Sequence, residues 1–226
     1  MRDKRTKQDQ QLRQPTGDGC SRRRFLGGSL AAGALLAFSV PAESASIAET
    51  MGEVLVNGAR AMRDTVIRVG DRIETAAGAS LVFRIGNDAF LVREMSTVML
   101  EAPAGAKALL AGLRLVTGAV LAVFGPGMRS VMTGLVTGAI RGTGIYVEAT
   151  PARTYFCTCY GNVGLTAQDG TTIDVKTANH AAHYIQAKSG AAGSILAAPM
   201  MNHNNQELAM LEKLAGGAPR LRTDRN

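Results

Sequence analysis

Two cysteines separated by one residue, Cys157 and Cys159, are the side chains in this sequence best suited to chemistry. Their segment is rich in β-branched and aromatic residues, which predicts a strand, and alternate residues of a strand point to one face. Two thiolates on one face can bind a soft metal ion. A disulfide between them would need a bulge or a turn, because Cα atoms two apart in a strand lie about 6.5–7 Å apart.

The three histidines all follow the cysteine pair in the chain. His180 and His183 would share a face if their segment were helical. Together with the two cysteines they form the predicted ligand set, whose composition suits a zinc or a copper ion. His203 belongs to a separate group, Met200-Met201-x-His203, which is another candidate for copper binding.

Other interpretations of these residues stay open. The pair Cys157 and Cys159 is also consistent with a thiol-redox function or with ordinary core packing, since small buried cysteines are common. The sequence has no G-x-x-x-x-G-K-[ST] phosphate loop and no G-x-S-x-G nucleophile elbow. We therefore expect no catalytic residues, and we expect a protein that is not an enzyme.

The cysteines lie in the second strand of a predicted hairpin that spans 136–165. Its first strand ends at Ile145 to Glu148, its turn is Ala149 to Ala152, and its second strand runs from Arg153 to Tyr160. Pro151 falls in the turn, where it removes no hydrogen bond from a strand ladder. This hairpin is the element that must position both sulfur atoms.

The rest of the chain reads as short apolar runs separated by glycine-containing turns over residues 51–175. Strands of this length predict an all-β fold, specifically a two-layer sandwich or roll of many short strands. Residues 176–201 are predicted to be an irregular linker. Residues 202–216 are predicted to form a C-terminal helix with an asparagine cap and a terminal glycine pair, and 217–226 a disordered tail.

The first 42 residues are predicted to be a twin-arginine signal peptide. Ser21-Arg22-Arg23-Arg24-Phe25-Leu26 precedes an apolar segment that is too short to span a membrane, and we expect cleavage after Ala42. Residues 1–24 carry a net charge of +5 out of the chain's +7. The basic balance is therefore mostly a targeting feature, and we expect no nucleic-acid partner.

Several glycine-bounded phrases resemble the FecR family of periplasmic domains. The most specific is Thr137 to Val147, which is close to the family's T-x-x-A-x-x-G-T-x-F-x-V, followed by Gly161-Asn162-Val163, which matches its closing G-x-V. Earlier matching phrases are Gly52 to Gly58, Val69 to Thr75, Gly78 to Phe83 and Leu113 to Val120. The likeness covers about residues 51–170.

The resemblance implies a periplasmic all-β domain that senses or relays a signal by contact with a periplasmic or envelope protein. Members that regulate sigma factors carry a cytoplasmic segment and a membrane helix before this domain. Residues 1–24 match a signal peptide instead, so we do not expect a sigma-factor regulator. Membrane attachment is expected only if the signal stays uncleaved. The primary hypothesis is an exported binding domain, and the alternatives are a metal-binding or a thiol-redox protein.

Overall fold

The structure is a computed structural model, and it describes residues 44–103, 110–190 and 193–221. The predicted signal peptide and the last five residues of the predicted disordered tail lie outside these ranges. In the described part of the chain, no helix is both long enough and apolar enough to cross a membrane.

The prediction of an all-β fold is confirmed. The strands are β1 Ser44–Met51, β2 Val54–Val56, β3 Ala59–Arg60, β4 Ile67–Arg68, β5 Arg72–Thr75, β6 Ser80–Ile85, β7 Asp88–Val92, β8 Thr97–Glu101, β9 Gly112–Val123, β10 Met128–Met132, β11 Val136–Ala149, β12 Arg153–Ala167, β13 Thr172–Thr177, β14 Ala181–Gly190 and β15 Gly193–Ala198. They form one hydrogen-bonded sheet with the principal order β15-β14-β12-β11-β10-β9-β7-β6-β1-β4. A helix, α1 (Asn205–Leu214), follows.

The central strands are longer than the sequence predicts. Strands β9, β11 and β12 continue through glycines without ending, among them Gly118, Gly142 and Gly161. These three have φ values of +89°, +58° and +99°, which an L side chain rarely adopts. Glycine therefore lets the strands bend at irregular positions without ending.

The predicted irregular linker over 176–201 is wrong. Residues of this segment form β14, which pairs with β12, and β15, which pairs with β14. The alanine- and glycine-rich composition of the segment gives no clear strand pattern in the sequence. It forms strands nonetheless, because strand propensity depends on the neighbours that cover the strand. The addition of β14 matters for function, since it places a second strand beside the cysteines.

Buried side chains form two clusters on opposite faces of the sheet. The inner cluster draws on strands from β1 to β14 and contains Phe83, Phe90 and Phe156. The outer cluster contains Tyr146, Tyr155, Cys157, Cys159 and Tyr160, with Leu208 and Leu211 of α1 packed on it; its other buried members are Val82, Ala89, Leu91, Leu121, Val123 and Ala182. The cysteines therefore lie beneath the helix.

The predicted C-terminal helix is present. Asn204 is its N-cap and accepts hydrogen bonds from the backbone N–H groups of Gln206 and Glu207, while Glu207 accepts one from the backbone N–H of Asn204. This is a capping box, which stabilises a helix start. Leu208 and Leu211 are fully buried against the outer face, as their spacing predicts.

We predict that Gly144→Ala destabilises the fold by about 1–3 kcal/mol, the usual cost of overpacking a core. A methyl group at residue 144 would lie 2.6 Å from the ring of Tyr160 and 3.2 Å from Leu208. The measurement is the free energy of unfolding in denaturant. Gly134→Ala is the matched control, because nothing lies within 4 Å of its added carbon; equal effects of the two substitutions would contradict the prediction.

Candidate metal centre

Strand β12 places both cysteine sulfurs on the outer face. Tyr146 of β11 and Ala182 of β14 flank Cys157 in the ladder, and all three residues belong to the outer cluster. On β11, Gly144 pairs with Tyr160 and the next residue, Ile145, pairs with Thr158. Cys159 is therefore the extra residue of a β-bulge, a device that redirects a side chain.

The two cysteines meet two histidines at this face. Cys157 Sγ lies 3.7 Å from His180 Nδ1, and Cys159 Sγ lies 3.4 Å from His203 Nε2. The nitrogen atoms His203 Nε2 and His180 Nδ1 lie 3.2 Å apart. All four donor atoms fall within 4.8 Å of one another. The sequence predicted three of these four residues.

His183 does not join the group. It pairs with Phe156 across the β12–β14 ladder, whereas its neighbour Ala182 pairs with Cys157. Because directly paired residues share a face, His183 lies on the inner side of the sheet with Phe156. The expectation that His180 and His183 share a face assumed a helix; instead His183 belongs to strand β14, and His180 precedes that strand with a φ of +28°.

His203 takes the fourth position, which sequence reasoning missed. It lies 44 residues after Cys159 and directly before the N-cap Asn204. The sequence analysis placed His203 in a different candidate site, because its approach to Cys159 depends on the packing of α1 and not on local spacing. The side chains of the Met200-Met201-x-His203 group have different partners. The Met201 sulfur accepts a hydrogen bond from Tyr184, whereas His203 faces Cys159.

Hydrogen bonds orient each imidazole toward the sulfurs. His203 Nδ1 lies 2.7 Å from the backbone oxygen of Met201, and His180 Nε2 lies 2.8 Å from Oδ1 of Asn205. Each partner is an acceptor, so each of these ring nitrogens carries the proton and donates it. The other nitrogen of each ring then presents a lone pair to the cluster, as in metal sites whose histidines are held by outer contacts.

Other neighbours hold His203 in place. Its ring stacks on Tyr146, with 4.6 Å between the ring centroids. Tyr146 in turn donates to Glu148, and the guanidinium of Arg93 lies 5.6 Å from the Tyr146 ring centre. Burial and the adjacent Glu148 raise the pKa of the Tyr146 phenol, so this ring stays neutral and keeps its hydrogen bond.

The pKa values of the clustered side chains are shifted in different directions. A hydrogen bond from the Cys159 thiol is the main cause of a lowered pKa at Cys157, and contacts with His180 and His203 add to it. Burial raises the pKa of the Cys159 thiol. Burial lowers the pKa of His180, but its bonds to Cys157 and Asn205 outweigh this and raise it overall. Relative to the free side chains, these shifts favour the thiolate form of Cys157 and the protonated form of His180.

Comparisons with known proteins give limited information. No family model and no curated protein matches the chain. Two solved structures from Parabacteroides distasonis ATCC 8503, each provisionally named an anti-sigma factor, resemble part of the fold. Both have a TM-score of 0.46; the first is 11% identical and covers 62% of this chain, and the second is 9% identical and covers 68%.

This chain spans 64% of the length of the first of these proteins and 80% of the second. A likeness at that TM-score concerns the arrangement of strands and carries no argument about function. Among the described residues, the donor cluster is thus the feature from which a function can be argued.

We predict a specific tautomer for each histidine of the cluster. In metal-free protein at neutral pH, the neutral form of His203 should carry its proton on Nδ1 and that of His180 on Nε2, because the acceptors are Met201 O and Asn205 Oδ1. Nitrogen-15 NMR of the side chains measures this directly. In Asn205→Ala the His180 preference should weaken while His203 is unchanged; opposite tautomers in the parent protein would contradict the assignment.

Proposed function

We propose that this chain is a non-catalytic binding domain that holds one metal ion in the Cys157–Cys159–His180–His203 cluster. The observation that carries the proposal is the fit of these donor atoms to a tetrahedron. With bond lengths of about 2.3 Å to sulfur and 2.0 Å to nitrogen, a tetrahedral zinc site has nitrogen–nitrogen edges of about 3.3 Å and sulfur–nitrogen edges of about 3.5 Å. Three of the six separations between the donor atoms lie close to these edges, at 3.2 Å, 3.4 Å and 3.7 Å, and all six lie within 4.8 Å.

Charge favours a divalent ion at this site. Two thiolates, two neutral imidazoles and a divalent cation form a neutral group, which costs least to bury. Cys157 and Cys159 are fully buried, and the nearby carboxylate of Glu212 disfavours additional negative charge at Cys159. Monovalent copper would leave one net negative charge. Zinc therefore fits better than copper, and a tetrahedral S₂N₂ donor set is typical of zinc.

The coordination supports a structural or sensing role. Four protein donors fill a tetrahedron, whereas catalytic zinc sites keep one position for water or substrate. A compact single-ion site also differs from an iron–sulfur cluster, whose ligands surround several atoms. The tight donor cluster thus supports a domain that binds, and it gives no support to hydrolytic chemistry.

The cellular setting is part of the same proposal. The twin-arginine sequence and the FecR-like phrases support an exported periplasmic domain that acts by contact with a periplasmic or envelope partner. The twin-arginine route is suited to such a protein, because it carries chains that fold before export. The confirmed all-β fold is compatible with this assignment.

We predict that metal-free full-length protein binds one equivalent of zinc, measured by competition with a chromophoric chelator and by elemental analysis. Asn205→Ala should weaken binding about 10–100-fold, the usual cost of losing a supporting hydrogen bond. His203→Ala should weaken it further, since a ligand is removed. At a free zinc concentration 100 times Kd, the parent protein should gain about 2.7 kcal/mol of stability.

His183→Ala is the matched control for this experiment. It removes a histidine from the same strand region but from the opposite face, so zinc affinity should be unchanged. Zinc binding that survives His203→Ala and is lost in His183→Ala would contradict the assigned ligands. No zinc uptake by the parent protein would contradict the proposed function itself.

We predict that export depends on the paired arginines. Replacement of Arg22 and Arg23 together by lysine should retain the protein in the cytoplasm of an expressing bacterium, because the twin-arginine signal is read by a receptor and not by charge alone. Cell fractionation measures this, and N-terminal sequencing should place Glu43 first in the exported form. Arg24→Lys is the control; export of the double variant at the parent level would contradict the prediction.

A further inference from the structure

The outer face of the sheet is a surface that already binds a helix. Leu208 and Leu211 of α1 are fully buried on it, among Leu121, Val123 and the tyrosines of the outer cluster. Arg93 on the sheet side donates to both carboxylate oxygens of Glu207 in the first turn of α1, at 2.8 Å and 3.0 Å. The face thus recognises an amphipathic helix with leucines three residues apart and an acidic first turn.

The resident helix leaves part of this face uncovered. A groove of about 740 Å³ runs along α1. Its sheet side is formed by Ala48 and Glu49 of β1 and by Val82 of β6. Its helix side is formed by Gln206, Ala209, Met210, Lys213 and Leu214. Helix α1 has only ten residues. A longer amphipathic helix would therefore bury more of the outer face than α1 does.

The segment that carries α1 is attached mainly by side chains. Residues 199–204 lie between β15 and α1 and belong to neither element. Tyr155 donates to the backbone oxygen of Pro199 and accepts from the backbone N–H of Met201, and Asn202 donates to Glu148. This segment can leave the sheet without breaking a strand ladder, and the inner cluster does not depend on it.

The metal ligands join this segment to the sheet. Cys157 and Cys159 belong to β12, whereas His203 belongs to the connecting segment. Without an ion, His180 Nδ1 and His203 Nε2 lie 3.2 Å apart and can share at most one hydrogen bond, whereas a bound ion would be held by both rings and both sulfurs. A helix of ten residues is also marginal in water when it is not packed against the protein.

We propose that metal occupancy controls access to the outer face. The metal-bound chain covers the face with its own α1, whereas the metal-free chain opens reversibly at the 199–215 segment, so that an amphipathic helix of a partner protein can replace α1. The partner helix carries apolar residues at i and i+3 and an acidic residue in its first turn that pairs with Arg93. This inference rests on the proposed metal site.

The first test is hydrogen exchange by mass spectrometry on the full chain, loaded with zinc or treated with a chelator. At a free zinc concentration 100 times Kd, exchange at the α1 amides should slow by about 100-fold relative to the metal-free chain, because the ion binds only the closed form. Strands β9 and β11 should stay protected in both states. Equal protection of α1 in both states, or loss of protection throughout the sheet, overturns the inference.

The second test measures binding of a helix in trans. The probe is a dye-labelled synthetic peptide of residues 199–217 that carries His203→Ala, so that it cannot compete for zinc. It should bind the chelated full-length chain at least tenfold more tightly than the zinc-loaded chain, a difference of about 1.4 kcal/mol. A control peptide that also carries Leu208→Asp and Leu211→Asp should bind neither form.

Zinc content measured in the same samples separates the two proposals. One equivalent of zinc with equal peptide binding, or none, in both states overturns control of the face and leaves the metal site standing. No zinc uptake at all overturns both. One equivalent of zinc with tighter peptide binding in the chelated form supports both.

Discussion

The convergence of four donor atoms, three of them on buried residues, is the constraint on which the rest of this structure depends. Two sulfurs and two imidazole nitrogens fall within 4.8 Å of one another, and both cysteines are fully buried. Lone pairs so close together in an apolar setting repel one another unless a proton or a metal ion lies between them. Contacts among these four side chains join strand β12 to the segment that carries α1.

The groups around the cluster hold its two imidazole rings in orientation. The backbone oxygen of Met201 and the amide of Asn205 fix the histidine protons away from the sulfurs, and Tyr146 stacks on the His203 ring. Met201 and Asn205 lie on either side of His203 in sequence. The start of α1 is therefore both a covering element of the outer face and part of the support for the clustered histidines.

The sheet supplies the rigidity that such a site requires. Cys157 is paired on both sides, to Tyr146 of β11 and Ala182 of β14, so its backbone has little freedom. The bulge at Cys159 keeps Tyr160 on the same outer face beside it, and the inner cluster packs against the opposite side of the same strand through Phe156. A site on a strand held in this way keeps its geometry better than one on a loop.

The sequence alone determined the all-β class, the hairpin that carries both cysteines, the capped C-terminal helix and three of the four clustered residues. Each of these follows from local properties: alternation in a strand, turn residues, and capping by Asn204. Tertiary structure decided the rest. Strand β14 formed from an alanine-rich segment only because β12 lies beside it, and this turned His183 inward. His203 reached Cys159 because α1 packs on the outer face, a contact across 44 residues that no local pattern encodes.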